Sequence, residues 1–137
     1  MRYHRFLIFI VLVLTFTVGC SKEDVNLMES EAPDPAPFVF DRENIVKVTI
    51  KRGDGQLAVE LTDNKGLDKL KAILDNASSF TEAYPFDLLG VIVIEWKNGT
   101  KRELEVTGNG HVFVDKEVRI AYALNKKAFF DFVGGLQ

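Results

Sequence analysis

The stretch VIVIEWKNGTKRELEV, residues 91–106, decides the fold predicted for this chain. Apolar and polar residues alternate through both of its halves, which is typical of half-buried strands. Asn98-Gly99 lies between the halves, and both residues tolerate the positive φ that a tight hairpin turn requires. The stretch therefore predicts a β-hairpin.

The register of this hairpin follows from the positions of its apolar residues. A two-residue turn would set the apolar side chains of the first strand opposite charged side chains of the second. A three-residue turn with a bulge at the glycine pairs Ile92 with Leu104 and Ile94 with Arg102, which brings the apolar side chains of both strands to one face. We predict this second register, with Trp96 in the core and not on a ligand platform.

Four further runs alternate in the same way and predict strands over residues 45–52, 57–62, 111–115 and 117–122. The Gly53-Asp54-Gly55 turn joins the first two of these runs into a second hairpin. The inward-facing residues predicted for the first, second and fourth of these runs are Val46, Val48 and Ile50; Leu57, Val59 and Leu61; and Val118, Ile120 and Tyr122.

Two amphipathic helices complete the pattern. Asp63 or Asn64 can cap the first helix, and Asn125 can cap the second, because their side chains accept hydrogen bonds from unpaired backbone N–H groups. The apolar faces predicted for the two helices are Leu67, Leu70, Leu74 and Ala77 for the first, and Phe129, Phe132, Val133 and Leu136 for the second.

The predicted order β-β-α-β-β-β-β-α favours an α+β fold in two layers, an antiparallel sheet covered on one face by two helices. This pattern over residues 45–136 resembles the small two-layer domains of uncharacterised Gram-positive lipoproteins and, more loosely, the TBP-like topology. The resemblance rests on the order of elements and not on a motif, so it implies no functional residue.

The N-terminus is typical of a secretory signal peptide. Arg2 and Arg5 precede an apolar run from Phe6 that is too short to span a bilayer, and a small residue, Gly19, precedes Cys20. The ending Thr17-Val18-Gly19-Cys20 resembles the lipobox of bacterial lipoproteins. That resemblance implies that Cys20 is acylated, becomes the new N-terminus and anchors the protein to the membrane.

The predicted organisation is a signal peptide over 1–19, a lipidated cysteine with a flexible acidic, proline-rich tether over 20–40, and one globular domain over 41–137. The net charge of −3 argues against a nucleic-acid partner and against adhesion to anionic lipid through basic patches. By resemblance to lipoprotein sorting, Ser21 would direct the protein to the outer membrane of a cell that has one. In a Gram-positive cell it would stay on the extracytoplasmic face of the plasma membrane.

Residue types that carry chemistry are sparse in this sequence. His111 with Asp115 or Glu117 is too small a set for a transition-metal site, so we predict no metal and no cofactor. Cys20 is the single cysteine, and no serine lies in a nucleophile elbow. Gly108-Asn109-Gly110 precedes a strand and not a helix, which indicates a turn and not a phosphate loop. We therefore predict that the protein is not an enzyme.

The function predicted from these observations is that of a membrane-anchored extracytoplasmic binding module. Residues 80–90 form a long aromatic loop that either covers the core or offers a contact surface, and the open sheet face also carries Glu95, Lys101 and Glu103. The candidate binding residues are Tyr84, Phe86, Leu88, Val91 and Val93, and the candidate partner is an envelope or membrane protein. The alternative is an extracytoplasmic enzyme, or an enzyme inhibitor, that acts on the cell envelope.

Overall fold

The computed structural model describes residues 34–136, which build one antiparallel sheet and two α-helices. The strands lie in the order β2-β1-β3-β4-β5-β6, and every neighbouring pair is antiparallel. The predicted α+β class and the predicted order of elements are confirmed. The elements are β1 (Ile45–Arg52), β2 (Leu57–Leu61), α1 (Asn64–Leu74), β3 (Gly90–Trp96), β4 (Lys101–Thr107), β5 (Val112–Asp115), β6 (Ile120–Ala123) and α2 (Lys126–Gly134).

The β3–β4 hairpin has the predicted register. Ile92 pairs with Leu104 and Ile94 with Arg102. The backbone N–H of Trp96 donates to the Thr100 carbonyl at 3.0 Å, and Gly99 has a φ of 83°, which few residues other than glycine adopt. Trp96 is partly buried and packs against the edge of the core.

Helix α1 follows the predicted cap and apolar face. Asp63 accepts a hydrogen bond from the Gly66 N–H at 2.7 Å, and Leu67, Leu70 and Leu74 are buried. The helix ends at Leu74 and not at Ala77, because Asn76 adopts a positive φ of 60° that an α-helix does not continue through.

Helix α2 is shorter than predicted. Asn125 caps it through the Ala128 N–H at 3.0 Å, and Phe129 is buried. The helix ends at Gly134, so the prediction that Leu136 lies on its apolar face is wrong; Leu136 is exposed. Within residues 34–136 neither helix is long and apolar enough to cross a membrane.

Three residues predicted to face inward are exposed: Val46, Leu57 and Val118. A register shift after Ile45 gives that residue the inward position and turns Val46 outward. A second shift sets Leu57 opposite the outward-facing Lys51. A one-residue slip moves a side chain to the other face of a sheet, which explains both errors.

Val118 lies in the turn before β6, which begins at Ile120 and not at residue 117. Asp115 closes this turn, because its carboxylate accepts from the Glu117 N–H at 3.0 Å and its carbonyl from the Arg119 N–H at 2.8 Å.

The chain before β1 is part of the core. We name residues 38–44 the strap. Phe38 and Phe40 are buried, although the tether was predicted to run to residue 40. The Phe38 ring contacts Phe113 and Tyr122 edge-on, with ring centroids 5.0 and 5.4 Å apart. The strap thus packs against the core face of β5 and β6.

The core lies between the sheet and the layer made by both helices and the strap. Ile92, Ile94, Leu104 and Val106 alternate with charged or half-buried residues on the far face. The core members contributed by the strap, β1, β2, α1, β5, β6, the residue after β6 and α2 are Phe38, Phe40, Ile45, Val48, Ile50, Val59, Leu61, Leu67, Leu70, Leu74, Phe113, Tyr122, Leu124 and Phe129.

Candidate functional site

The two ends of the sheet differ in chemistry. The register places Arg52, Gly90, Thr107, Val112 and Ala123 at one end, which we name the apolar end. The opposite end contains the β3–β4 turn at residues 97–100 and the β5–β6 turn at residues 116–119, and we name it the hairpin end.

An apolar groove of about 230 Å³ lies at the apolar end, where α2 crosses the strand ends. Its lining is dominated by apolar side chains, with Lys51 and Arg52 as the charged members. The apolar lining residues are Ile50, Ala58, Leu89, Val106, Phe129, Phe130 and Val133. Such a surface suits an apolar ligand or partner that meets a cationic rim.

Exposed apolar side chains lie at the same end of the sheet. Leu89 and Phe130 line the groove and are open to solvent, and Phe86 (81% exposed), Leu57 (61%) and Leu88 lie outside its lining. The Gly53 N–H donates to the Leu89 carbonyl at 3.0 Å, which places residues 88 and 89 against the β1–β2 turn. Isolated exposed apolar residues are common, whereas several at one end of a domain make that end a candidate contact surface.

Asp87 fixes the loop that carries Phe86. Its carboxylate accepts from the Asn109 N–H at 3.0 Å, and its own N–H donates to the Thr107 hydroxyl at 3.0 Å. The hydrogen bond from Asn109 lowers the pKa of Asp87 below its usual value, so the group stays ionised at neutral pH. The Pro85 carbonyl accepts from the Gly108 N–H at 3.1 Å, which holds the loop from the other side of Phe86.

The same hydrogen bonds involve the backbone of the Gly108-Asn109-Gly110 turn. The Asn109 N–H, which an anion would otherwise approach, is already bonded to Asp87. On the turn's other flank, the Phe130 ring lies within contact distance of Gly110. Phe86 and Phe130 therefore flank the same turn.

The loop lies on the sheet face opposite the helices. Val112 alternates with the core residue Phe113, so its side chain points away from the core; it is nevertheless fully buried. Tyr84 covers this region: it is half-buried beside Gly108 and Val112, and its ring contacts Phe80. Residues 80–87 therefore cover the outer face near β5, while Phe86 points away from it into solvent.

The rest of the open face is a network of charge pairs. Val91 and Val93 are half-buried there, next to carboxylates and ammonium groups from neighbouring strands. Surface ion pairs contribute little stability singly and keep such a face solvated. The N–O distances are 3.9 Å for Lys47–Glu60, 3.9 Å for Lys47–Glu95, 3.4 Å for Lys101–Glu95, 2.8 Å for Lys116–Glu103 and 3.5 Å for Lys116–Glu105.

The five predicted binding residues thus fall into different environments. Phe86 and Leu88 lie open at the apolar end, Tyr84 packs beside Gly108 and Val112 on the outer face, and Val91 and Val93 lie in the charged face. The predicted binding residues did not include Leu57, Leu89 or Phe130. Leu57 was assigned to the core by its alternation, and Phe130 lies one position beside the predicted stripe of α2.

A second cavity, a polar cleft of about 710 Å³, opens at the hairpin end. Trp96 and Arg102 contribute its floor, and the remaining lining is polar or charged. Those residues are Asp41, Asn44, Lys97, Asn98, Thr100, Lys101 and Glu117. The cleft mixes acids, bases and amides, which suits a polar ligand more than an apolar one.

Arg102 and Asp115 form an ion pair beneath this cleft that the sequence did not predict. Asp115 is fully buried, and its carboxylate accepts hydrogen bonds from both Nε and Nη2 of Arg102. The guanidinium carbon lies 5.0 Å from the centroid of the Phe38 ring, a cation–π arrangement. The pairing of Ile94 with Arg102 is the signal that could have revealed an arginine on the core face.

The histidine and the acids considered for a metal site are separated. His111 lies at the apolar end before β5, whereas Asp115 and Glu117 lie at the hairpin end. Among residues 34–136 no group of three or more His, Cys, Asp or Glu side chains is placed to hold a metal ion.

Cys20, the predicted lipidation site, lies outside the described residues. Comparison of the chain with protein-family models, with curated proteins and with solved structures gives no significant match.

Proposed function

We propose that the protein is a membrane-anchored extracytoplasmic lipoprotein, acylated at Cys20, whose folded domain is a binding module with its contact surface at the apolar end. This contact surface consists of Leu89 and Phe130, which line the groove, and of the exposed side chains of Phe86, Leu57 and Leu88 at the same end. The ligand belongs to the membrane or the envelope next to it.

The observation that supports this proposal is the group of exposed apolar side chains on a rigidly held scaffold. Phe86 is held between two hydrogen-bonded residues, Pro85 and Asp87, and is still 81% exposed. A large apolar side chain kept in water by a fixed loop gains free energy when a partner covers it, about 25 cal/mol for each Å² of apolar area buried.

The anchor is tested by expressing the full chain in a bacterial host beside its Cys20→Ala variant. We expect the wild type to gain the mass of the acyl chains and to sediment with membranes, and the variant to gain no such mass. An unmodified Cys20 in wild-type protein that is released from membranes would overturn the anchor.

The binding surface is tested in the same cells with a photo-crosslinking amino acid placed at Phe86 or at Leu57. Val118, which is exposed at the hairpin end, serves as the matched control position. We expect adducts with membrane or envelope components from positions 86 and 57 and none from position 118. Equal labelling from all three positions would overturn the assignment of the contact surface.

A further inference from the structure

We infer that the apolar end lies on the surface of the lipid bilayer itself, with Phe86, Leu57 and Leu88 among the headgroups. This inference rests on the proposed lipid anchor at Cys20. It names the lipid surface as the partner of the apolar end.

The strap begins on the side of the apolar end. Phe38 lies beside the end of α1, hydrogen-bonded to Asn76 and Ala77, and the neighbouring Ser78 carbonyl accepts from the N–H of Ala123 at the apolar end. From there the strap runs to Asn44, whose carbonyl accepts from Lys97 at the hairpin end. A tether that leads to Phe38 would therefore join the domain on the side of the apolar end.

The chain between Cys20 and Phe38 spans at most about 65 Å when fully extended, because each residue adds no more than about 3.6 Å. A domain of about 100 residues is about 33 Å across. A tether of this length would confine the domain to within about two of its diameters of the membrane and let the apolar end touch the lipid surface without strain.

Although the chain as a whole is acidic, basic side chains lie beside the exposed apolar ones at the apolar end. Lys51 and Arg52 line the groove, and neither forms a salt bridge with another residue of 34–136. Lys126, also at this end, is likewise outside every ion pair in that range. Basic side chains beside exposed aromatic and aliphatic ones are the combination by which proteins bind anionic lipid surfaces.

The acids at this end limit the depth of contact. Asp87 is adjacent to Phe86 and stays ionised because it accepts from Asn109, while Asp131 is paired with Lys127 and Asp54 accepts from the Gln56 N–H. An ionised carboxylate next to the leading aromatic ring keeps the domain at the level of the headgroups. The contact is therefore interfacial and not an insertion into hydrocarbon.

The experiment uses the position of the chain's single tryptophan. Trp96 lies at the hairpin end, far from the proposed contact. The acylated full chain is reconstituted into vesicles of phosphatidylglycerol and phosphatidylethanolamine with brominated acyl chains, which quench nearby tryptophan. Wild type is compared with Phe86→Trp and with Val118→Trp, both in a Trp96→Phe background.

Because an interfacial side chain lies roughly 5–10 Å inside the headgroup boundary, we expect about half of the fluorescence of Phe86→Trp to be quenched and almost none of that of wild type or Val118→Trp. Equal quenching of all three proteins, or none of Phe86→Trp, would overturn the inference. If Trp96→Phe disturbs folding, a nitroxide on Phe86→Cys measures the same depth in the native background, since acylation removes the thiol of Cys20.

The outcomes separate this inference from the proposed function. Vesicles that retain the protein while Phe86→Trp stays unquenched overturn the lipid contact and leave the anchor standing. In cells, a photo-adduct of position 86 with a protein and not with a lipid would likewise overturn the lipid contact and leave the anchor standing. A chain with no acyl mass overturns the anchor, and the inference with it.

Discussion

Asp115 shows at the scale of single residues how a charge is held inside this domain. Its carboxylate has no solvent exposure, and Arg102 supplies two hydrogen bonds while the Glu117 N–H supplies a third. A buried carboxylate keeps its charge at low cost only when such partners replace water.

We expect Asp115→Asn to lower the free energy of unfolding by about 2–3 kcal/mol, because it leaves the partly buried Arg102 guanidinium without its counter-charge. Asp131→Asn is the matched control, since its exposed pair with Lys127 contributes close to nothing. Urea denaturation of the three proteins measures the difference. Equal midpoints for the two variants would contradict the structural role of the pair.

We expect the titration of Tyr122 to lower the stability of the fold at alkaline pH. Burial raises the pKa of its phenol, and the nearby Asp115 carboxylate raises it further. The unfolded chain loses this proton near pH 10 while the folded chain retains it, so stability falls as the pH rises above about 10. We expect wild type to lose more stability than Tyr122→Phe between pH 8 and pH 11, measured by thermal unfolding; parallel losses would show that Tyr122 does not titrate differently in the fold.

For single residues, the sequence predicted which face of the sheet a side chain occupies better than it predicted which residue that side chain contacts. The alternation along residues 91–106 is local, so it determined the register and with it the inward position of Arg102. Asp115 is separated from Arg102 by a turn and a whole strand, and no pattern in one sequence links them. The inward positions predicted for Val46 and Leu57 were wrong because a register shift leaves no trace in the spacing of apolar residues.

The strap is the element whose removal we expect to change the domain most. Phe38 is buried against Phe113, Tyr122 and the Arg102 guanidinium, whereas its neighbour Val39 is 67% exposed. Phe38→Ala should lower the free energy of unfolding by about 3–5 kcal/mol through lost burial and the cavity left behind. Val39→Ala should change it by less than about 0.5 kcal/mol, as for other exposed sites.

Chemical denaturation of both variants measures this contrast. Limited proteolysis offers a second reading, because a detached strap would be cut before the sheet opens. Similar small effects from both substitutions would mean that the strap is dispensable and that the domain begins at β1.

The contact of residues 88 and 89 with the β1–β2 turn gives a second prediction at the scale of elements. A Cβ atom at Gly53 would clash with the Leu88 carbonyl oxygen, which is backbone and cannot rotate away. Gly53→Ala should therefore cost about 1–3 kcal/mol and loosen residues 80–89. Gly134→Ala is the control, since a Cβ atom there meets nothing within 4 Å; hydrogen exchange of the loop compares the two.

Element boundaries were predicted well where caps and turns have a local signature. Asp63, one of two candidate caps, Asn125 and the Asn98-Gly99 turn were identified from residue type alone. Helix α1 ends before Ala77, which was placed on its apolar face, at the positive φ of Asn76, a residue type that tolerates this conformation. The start of β6 was not identified, because Arg119 adopts a positive φ that its residue type does not favour. Only residues 38–40 of the strap were included in the predicted tether, since Phe38 and Phe40 belong to no periodic pattern.

For the molecule as a whole, folding and binding should be separable by substitution. The contact surface lies on exposed side chains and the stability on the core, so Phe86→Ser combined with Leu57→Ser should move Tm by no more than about 4 °C. The same double variant should lose its photo-adducts when the crosslinker is placed at Leu88. Leu70→Ala, in the core, should cost about 2–5 kcal/mol and serves as the contrast. A large fall in Tm for the double variant would mean that these side chains support the fold.

The candidate site is formed by residues from separate elements of the chain, so the sequence predicted only part of it. Phe86 and Leu88 stood out as apolar residues in a loop, but Phe130 and Leu57 join them only because α2 crosses the strand ends next to the β1–β2 turn. The polar cleft at the hairpin end faces the opposite way, so a domain that rests on lipid would present this cleft to its surroundings.

The strap has a mechanical consequence. Any tension in the tether of an anchored domain enters at Phe38 and reaches β1, a strand inside the sheet, only after it has passed Phe40 and Asn44. The Asp75 carboxylate accepts from the Phe40 N–H at 2.9 Å, so Phe40 has contacts of its own in addition to those of Phe38. The contacts of the two phenylalanines would therefore break one after the other and not all at once. A pull from the membrane would release Phe38 first and uncover the Arg102–Asp115 pair while the sheet is still intact.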